Sequence, residues 1–267
     1  MKKLSMVLAW SLLFVFSGGM AKGVIDTTEL PHPSPAEMEK IRAIENPLAK
    51  KVFQKYQSIK TYHAVWTMEL DIPDPNITNG PNYVIISTWE VAFDRPTKRV
   101  LFFINTPPAE GKQSPQFYRL LLIADGKMMH FASTDSGKNA EIRKQSIPIA
   151  DPNRLTYRDI REGMFIRPFD LPLMFSELHY IEVIENQIKE IKTIEPSESL
   201  LRFEVLPDYG DTSAVFWVDS KTLLIQRFNF DYHSGRNPVF KLKTIQVDQP
   251  LDDALFDFEK QLSRFSR

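Results

Sequence analysis

The side chains able to carry proton transfer or metal binding are spread thinly through these 267 residues. The five histidines, His32, His63, His130, His179 and His233, never take the helical spacing, with a carboxylate beside them, by which a zinc hydrolase puts two imidazoles on one metal. The chain has no cysteine, which excludes thiolate metal sites, disulfides and an acyl anchor on sulfur. His233 and Ser234 adjoin Asp231, with Asp211 not far upstream, and these are the residue types of a hydrolytic relay. There is, however, no glycine-flanked nucleophile turn, and the glycine-poor chain offers no oxyanion loop. Neither a G-x-G-x-x-G nor a Walker pattern occurs. The expectation is a protein that is not an enzyme, with no catalytic residue, metal or cofactor.

The abundant chemistry is apolar. The stretch "WVDSKTLLIQRFNFDYHSG", residues 217 to 235, reads as two strands on a polar turn, with Phe228 and Phe230 facing the same side as Leu224 and Tyr232. Arg227, Asn229 and Asp231 take the other side. In "YHAVWTMEL", Tyr62, Ala64, Trp66, Met68 and Leu70 share one face. Similar runs put Ile85, Trp89, Val91 and Phe93 together at 82 to 93, and Val100, Phe102 and Ile104 at 98 to 105. Such side chains exclude water and take up hydrocarbon. A sixteen-carbon acyl chain gains on the order of 12 kcal/mol on leaving water, at roughly 0.8 kcal/mol per methylene. A bilayer offers about as much, so exchange with a membrane would be nearly balanced. Trp66, Met68, Trp89, Phe93, Phe102, Phe228 and Phe230 are thus the candidate wall of an apolar cavity. The same aromatic set, with Tyr62 and Trp217, also suits a dry core, and on strand pattern alone both readings stand.

The elements that must position these residues follow from the periodicity. Lys2 and Lys3, the apolar run Leu4 to Phe16, and Gly19 and Ala21 match an export signal at 1–21, cleaved after Ala21. Residues 22–46 form a proline-rich leader with a short capped helix at Ser34-Pro35-Ala36-Glu37. A single domain covers 47–267. It opens at Asn46-Pro47 with a helix whose Leu48, Val52, Phe53, Tyr56 and Ile59 share one face. Strands follow at 62–70, 82–93, 98–105, 117–124 and 127–133, the last two joined by Asp125-Gly126 as a tight primed turn. From 151 to 178 the strand pattern stops, and Leu171, Met174, Phe175 and Leu178 form a helical stripe that reads as a lid or as an ordinary packed helix. Strands resume near 180–194, 200–206, 213–219, 222–232 and 239–248. The order gives an α+β domain with a large antiparallel sheet, which must curl as it grows.

Charge excludes one partner class. The chain carries 33 basic and 34 acidic residues, and loss of Lys2 and Lys3 with the signal leaves 31 against 34. The signs are interspersed, without the basic excess of a nucleic-acid surface.

The "AKKVFQKYQSIKTYHAVWTMEL" helix-to-strand entry, "FDRPTKRVLFF", "LLIADGKMMHF", "FWVDSKTLLIQRFNFD" and "LKTIQVDQPLDDALFDFE" together span nearly the whole mature chain. In their order and spacing they resemble the LolA-like carriers of lipoproteins and lipids in the bacterial periplasm. The resemblance implies an incompletely closed half-barrel with covering helices, acyl chains in its apolar interior, and transient contact with a membrane or membrane protein. The long leader and the "NTPPAEGKQSPQ" loop depart from that pattern, and no arginine of the carriers is transferred here. A lipid-sensing module and a filled-core interaction scaffold remain as alternatives.

Overall fold

The computed structural model describes residues 46–72, 83–97, 99–107, 118–134, 142–148, 188–197, 200–207, 212–232 and 237–266. The signal, the leader and the candidate lid, with Leu171, Met174, Phe175 and Leu178, lie outside the described residues.

Helix α1, Pro47–Ser58, begins where the sequence places a cap. Asn46 Oδ1 accepts from the amides of Leu48 and Ala49 at 3.0 and 3.1 Å, and Pro47 occupies a position that needs no amide proton. The same asparagine donates from Nδ2 to the Ile191 carbonyl and to Thr193 Oγ1, fastening the helix start to a distant strand. At the other end, Arg95 donates to the Ile59 carbonyl and to the Tyr56 carbonyl, which also accepts from the Ile59 amide.

Eleven strands follow, all antiparallel: β1 Thr61–Ile72, β2 Tyr83–Asp94, β3 Arg99–Thr106, β4 Tyr118–Ala124, β5 Met128–Thr134, β6 Ile142–Pro148, β7 Ile188–Ser197, β8 Leu200–Pro207, β9 Thr212–Asp219, β10 Ile225–Tyr232 and β11 Val239–Val247. They form one open sheet in the order β6-β5-β4-β3-β2-β1-β11-β10-β9-β8-β7. The first and last strands are therefore central neighbours, in register from Tyr62↔Val247 to Glu69↔Val239, with a bulge between Val65 and Trp66.

The sheet must curve. Helix α1 touches β7 through Asn46 and the β2–β3 turn through Arg95. Twelve helical residues span about 18 Å at 1.5 Å each. Six strand spacings separate β2 from β7, about 29 Å measured along the sheet. A chord so much shorter than its arc requires a concave inner face, and α1 lies across it.

The outer face is covered in part by the chain's end. A 3-10 turn at Asp253–Phe256, helix α2 at Phe258–Leu262 and a 3-10 turn at Ser263–Ser266 pack Phe256, Leu262 and Phe265 onto Ala92, Leu101, Phe103, Leu121, Ile123 and Ala132. This explains the unbroken apolar runs in β3 and β4, "VLFFI" and "LLLIA": strands covered on both sides lose alternation. Three arginines hold the segment. Arg99 bridges Asp94 and Asp253 at 2.8 and 2.6 Å, Arg264 reaches Glu90 at 2.5 Å, and Arg119 donates to the Phe265 carbonyl.

Two expectations change. The domain is mostly sheet rather than α+β with covering helices: among the described residues α1 is the one helix on the inner face, and α2 has five residues and lies outside. The hairpin at Asp125-Gly126 has positive φ only at Gly126, at 91°. Asp125 instead closes the turn, its Oδ1 accepting from the amides of Lys127 and Met128, each at 2.8 Å.

Candidate functional site

The inner face is an aromatic ladder. Strand register places Phe203 opposite Phe216, Phe216 opposite Phe228 and Phe228 opposite Phe240. Their rings stack at centroid distances of 5.0, 5.9 and 4.4 Å, the last within 8° of parallel. Trp89 continues the series edge-on, 5.1 Å from Phe240 and 5.5 Å from Phe102, and Trp66 meets Phe228 at 5.2 Å. One connected set thus crosses seven strands, from β8 to β3. Offset and edge-on contacts of this kind add about 0.5–1.5 kcal/mol per pair beyond the area they bury.

Coverage along this face is uneven. Beneath α1, Tyr62 stacks on Phe93 at 5.2 Å and 6°, and Val52, Tyr56 and Ile59 close over them. Phe93, Phe102 and Trp66 are 1, 1 and 3 % exposed and belong to the core. Met68, Trp89 and Phe228 are only half-buried, with Phe216 beside Phe228, and so is Phe131 away on β5. Phe230 keeps its ladder position opposite Ala214. Sequence reasoning missed Phe216, Phe131, Phe203 and Phe240, although each holds an alternate position in its strand. It also grouped Trp217 with the core set, whereas the register of Phe216 turns Trp217 to the outer face.

The sheet has a seam within this ladder. Strands β10 and β11 pair only from Arg227↔Lys241 to Asn229↔Val239, while β9 and β10 pair from Ile225↔Val218 to Tyr232↔Thr212 with a bulge at Gln226. Near Ile225 the two strands part, and the Ile225 amide donates to the Tyr56 hydroxyl at 3.1 Å. A helix side chain there replaces a strand partner. Burial raises the pKa of Tyr56 far above that of a free tyrosine, and burial does the same to Tyr62.

Polar clusters lie on the outer side. Burial alone would raise the Glu90 carboxyl, but a 2.8 Å contact to His63 Nε2 and the charge of Arg264 outweigh it and hold the group below the usual carboxylate range. An open cleft of about 410 Å³ lies between β5, β6 and α2, lined by His130, Lys144, Ser146, Asp257 and Glu259 among others. His130 Nδ1 is 2.8 Å from Ser146 Oγ and Nε2 is 3.5 Å from Asp125 Oδ2, while the ring stacks on Phe258. The residue types are those of a nucleophilic relay, at positions unrelated to His233 and Ser234. Two carboxylates in the same cleft oppose an oxyanion, and Asp125 is spent on its turn, so the contacts tie hairpin, edge strand and α2 together. Among the described residues no three potential metal ligands converge.

No protein-family model and no curated protein matches the sequence. Among solved structures, the chain is similar to a crystal structure of a β-barrel-like protein of domain of unknown function DUF1849 from Brucella abortus. Identity is 9 %, the alignment covers 72 % of this chain and 99 % of that one, and the TM-score is 0.33, a likeness too distant to argue from.

Proposed function

We propose that the protein is an exported, periplasmic carrier that holds the acyl chains of a lipid or lipoprotein on the inner face of its curved sheet, in the manner of the LolA-like carriers it resembles in sequence. The single observation that supports this is the uneven cover of the aromatic ladder. Within the ladder, Met68, Trp89, Phe216 and Phe228 are only half-buried, between the buried Phe203 and Phe240. A hydrocarbon chain laid along them would bury what α1 leaves, at about 25 cal/mol per Å² of apolar surface. Methionine and edge-on tryptophan adapt to chains of differing shape. Loading and release then need no catalysis, because the bilayer competes for the same hydrocarbon on nearly equal terms.

Native mass spectrometry of gently purified protein, followed by lipid extraction, tests the reading. The expected result is a mature chain beginning at Lys22 that carries an acylated ligand and passes it to acceptor vesicles. Ligand retained without transfer supports a lipid sensor. A protein that neither copurifies with nor takes up any acyl compound is a filled-core scaffold.

A further inference from the structure

We propose that the outer face of the β8–β11 half of the sheet is a docking surface for a bilayer containing anionic phospholipid, centred on Arg202, Trp217 and Arg227. The C-terminal segment covers the outer side of β3 and β4, but no described element covers this half. Register sets Arg202 on one side of Trp217 and Arg227 on the other. Their guanidinium carbons are 5.5 and 4.6 Å from the indole ring centroid. Among the described residues no carboxylate pairs with either arginine, whereas Arg99 and Arg264 on the covered side are both ion-paired. Lys241 follows in the same row, opposite Arg227, and is bound to Glu69 at 2.6 Å. Glu204, two residues along β8 from Arg202, sits opposite Lys192, whose ammonium is 3.2 Å from Glu190.

The same face holds unpaired polar atoms beneath its surface. Five buried side-chain polar atoms have no hydrogen-bond partner among the described residues, and four belong to this face: Arg202 Nε, Arg227 Nε, Asn229 Oδ1 and Thr67 Oγ1. The exposed aliphatic side chains Ile86 and Val84, 53 and 48 % exposed, continue the face across β1.

The chemistry selects the occupant. Guanidinium is the group best matched to phosphate oxygens, and tryptophan is enriched where headgroups meet hydrocarbon. The two arginines sit two strand spacings apart, about 10 Å, which is too far for one phosphate to engage both at once. A sheet of neighbouring headgroups meets both, with Ile86 and Val84 against the acyl boundary. The inference stands apart from the inner face, since it needs no bound acyl chain.

The test uses the mature chain with vesicles of phosphatidylglycerol and phosphatidylcholine, against vesicles of phosphatidylcholine alone. Sedimentation should show binding only to the anionic vesicles, lost at high salt. Each basic residue near such a surface contributes about fivefold to partitioning, so Arg202→Gln with Arg227→Gln should lower it roughly thirtyfold. Lys241→Gln, whose charge Glu69 already neutralises, should lower it far less. Brominated lipid should quench wild-type fluorescence, and Trp217→Phe should remove most of that quenching, which tests the face without altering its charge. Absence of wild-type binding to anionic vesicles, equal binding by the double variant, or quenching unchanged in Trp217→Phe each overturns the proposal. Full competition by dilute inorganic phosphate also overturns it, in favour of a small-anion site.

Discussion

The Tyr56 hydroxyl occupies the place of a strand partner, and removing it isolates the value of that contact. Tyr56→Phe keeps the ring, which is 0 % exposed and packed in the core, and leaves the Ile225 amide buried without an acceptor. No cavity is made beyond one oxygen, so the cost is the desolvation of an orphaned donor, about 1–3 kcal/mol. For a domain of this size that lowers the Tm by roughly 2–4 °C per kcal/mol. Urea unfolding should shift its midpoint with the slope unchanged, because the surface exposed on unfolding stays the same. Hydrogen exchange should rise at the Ile225 amide and its neighbours in β10 while the β1–β2 ladder stays protected. A Tm within a degree of wild type, together with unchanged exchange at Ile225, would refute the claim that this hydrogen bond closes the seam.

The remaining predictions concern pH, a turn and the inner face. Glu90 is held below its ordinary carboxylate pKa, so its contribution is present above about pH 4.5 and is lost as pH falls through the folded value; the Tm of wild type should drop on acidification more steeply than that of Glu90→Gln. Tyr56 and Tyr62 are shifted the other way, so their contribution is whole below about pH 10 and is lost as pH rises past it, which alkaline melts of wild type and Tyr56→Phe should show. Gly126→Ala places a Cβ 3.0 Å from the Thr97 carbonyl at a φ of 91°, and should cost about 1–2 kcal/mol by denaturant titration. Phe228→Asp should impair acyl binding or folding, while Asn229→Asp, on the opposite face, should leave acyl binding unchanged in a fluorescent fatty-acid titration.

Periodicity made most of this sheet legible. Ten of the eleven strands follow from apolar runs such as "YHAVWTMEL", in which Tyr62, Ala64 and Trp66 are buried and Met68 and Leu70 partly so. Strand β6, "IRKQSIP", gives no such signal because it is an edge strand exposed along nearly its whole length, held by pairing with β5 rather than by a face. The doubly covered strands were visible as strands but not as doubly covered, although "VLFFI" shows no alternation. What covers them, Phe256, Leu262 and Phe265, lies beyond residue 250 in short helical turns where no long stripe forms. The site was legible by face and not by depth. Alternation puts Trp66, Trp89 and Phe228 on one side, but it carries no sign that Trp66 is core while Trp89 and Phe228 are half-covered. Trp217 joins the core set on hydrophobicity alone, and only the register of its strand turns it outward.

The pairing of β1 with β11 has a consequence for synthesis. Strand β1 emerges early, yet one of its two edges stays open until residues 239–247 have been made, so for most of translation it presents a long, aromatic-rich template to any other strand. Contacts of that sequence separation slow folding and lengthen the time in which chains can pair with each other. A protein laid out this way benefits from being held unfolded until its last strand is available. Truncation before Val239 should therefore yield aggregates rather than a smaller soluble domain, even though β1 to β6 are complete.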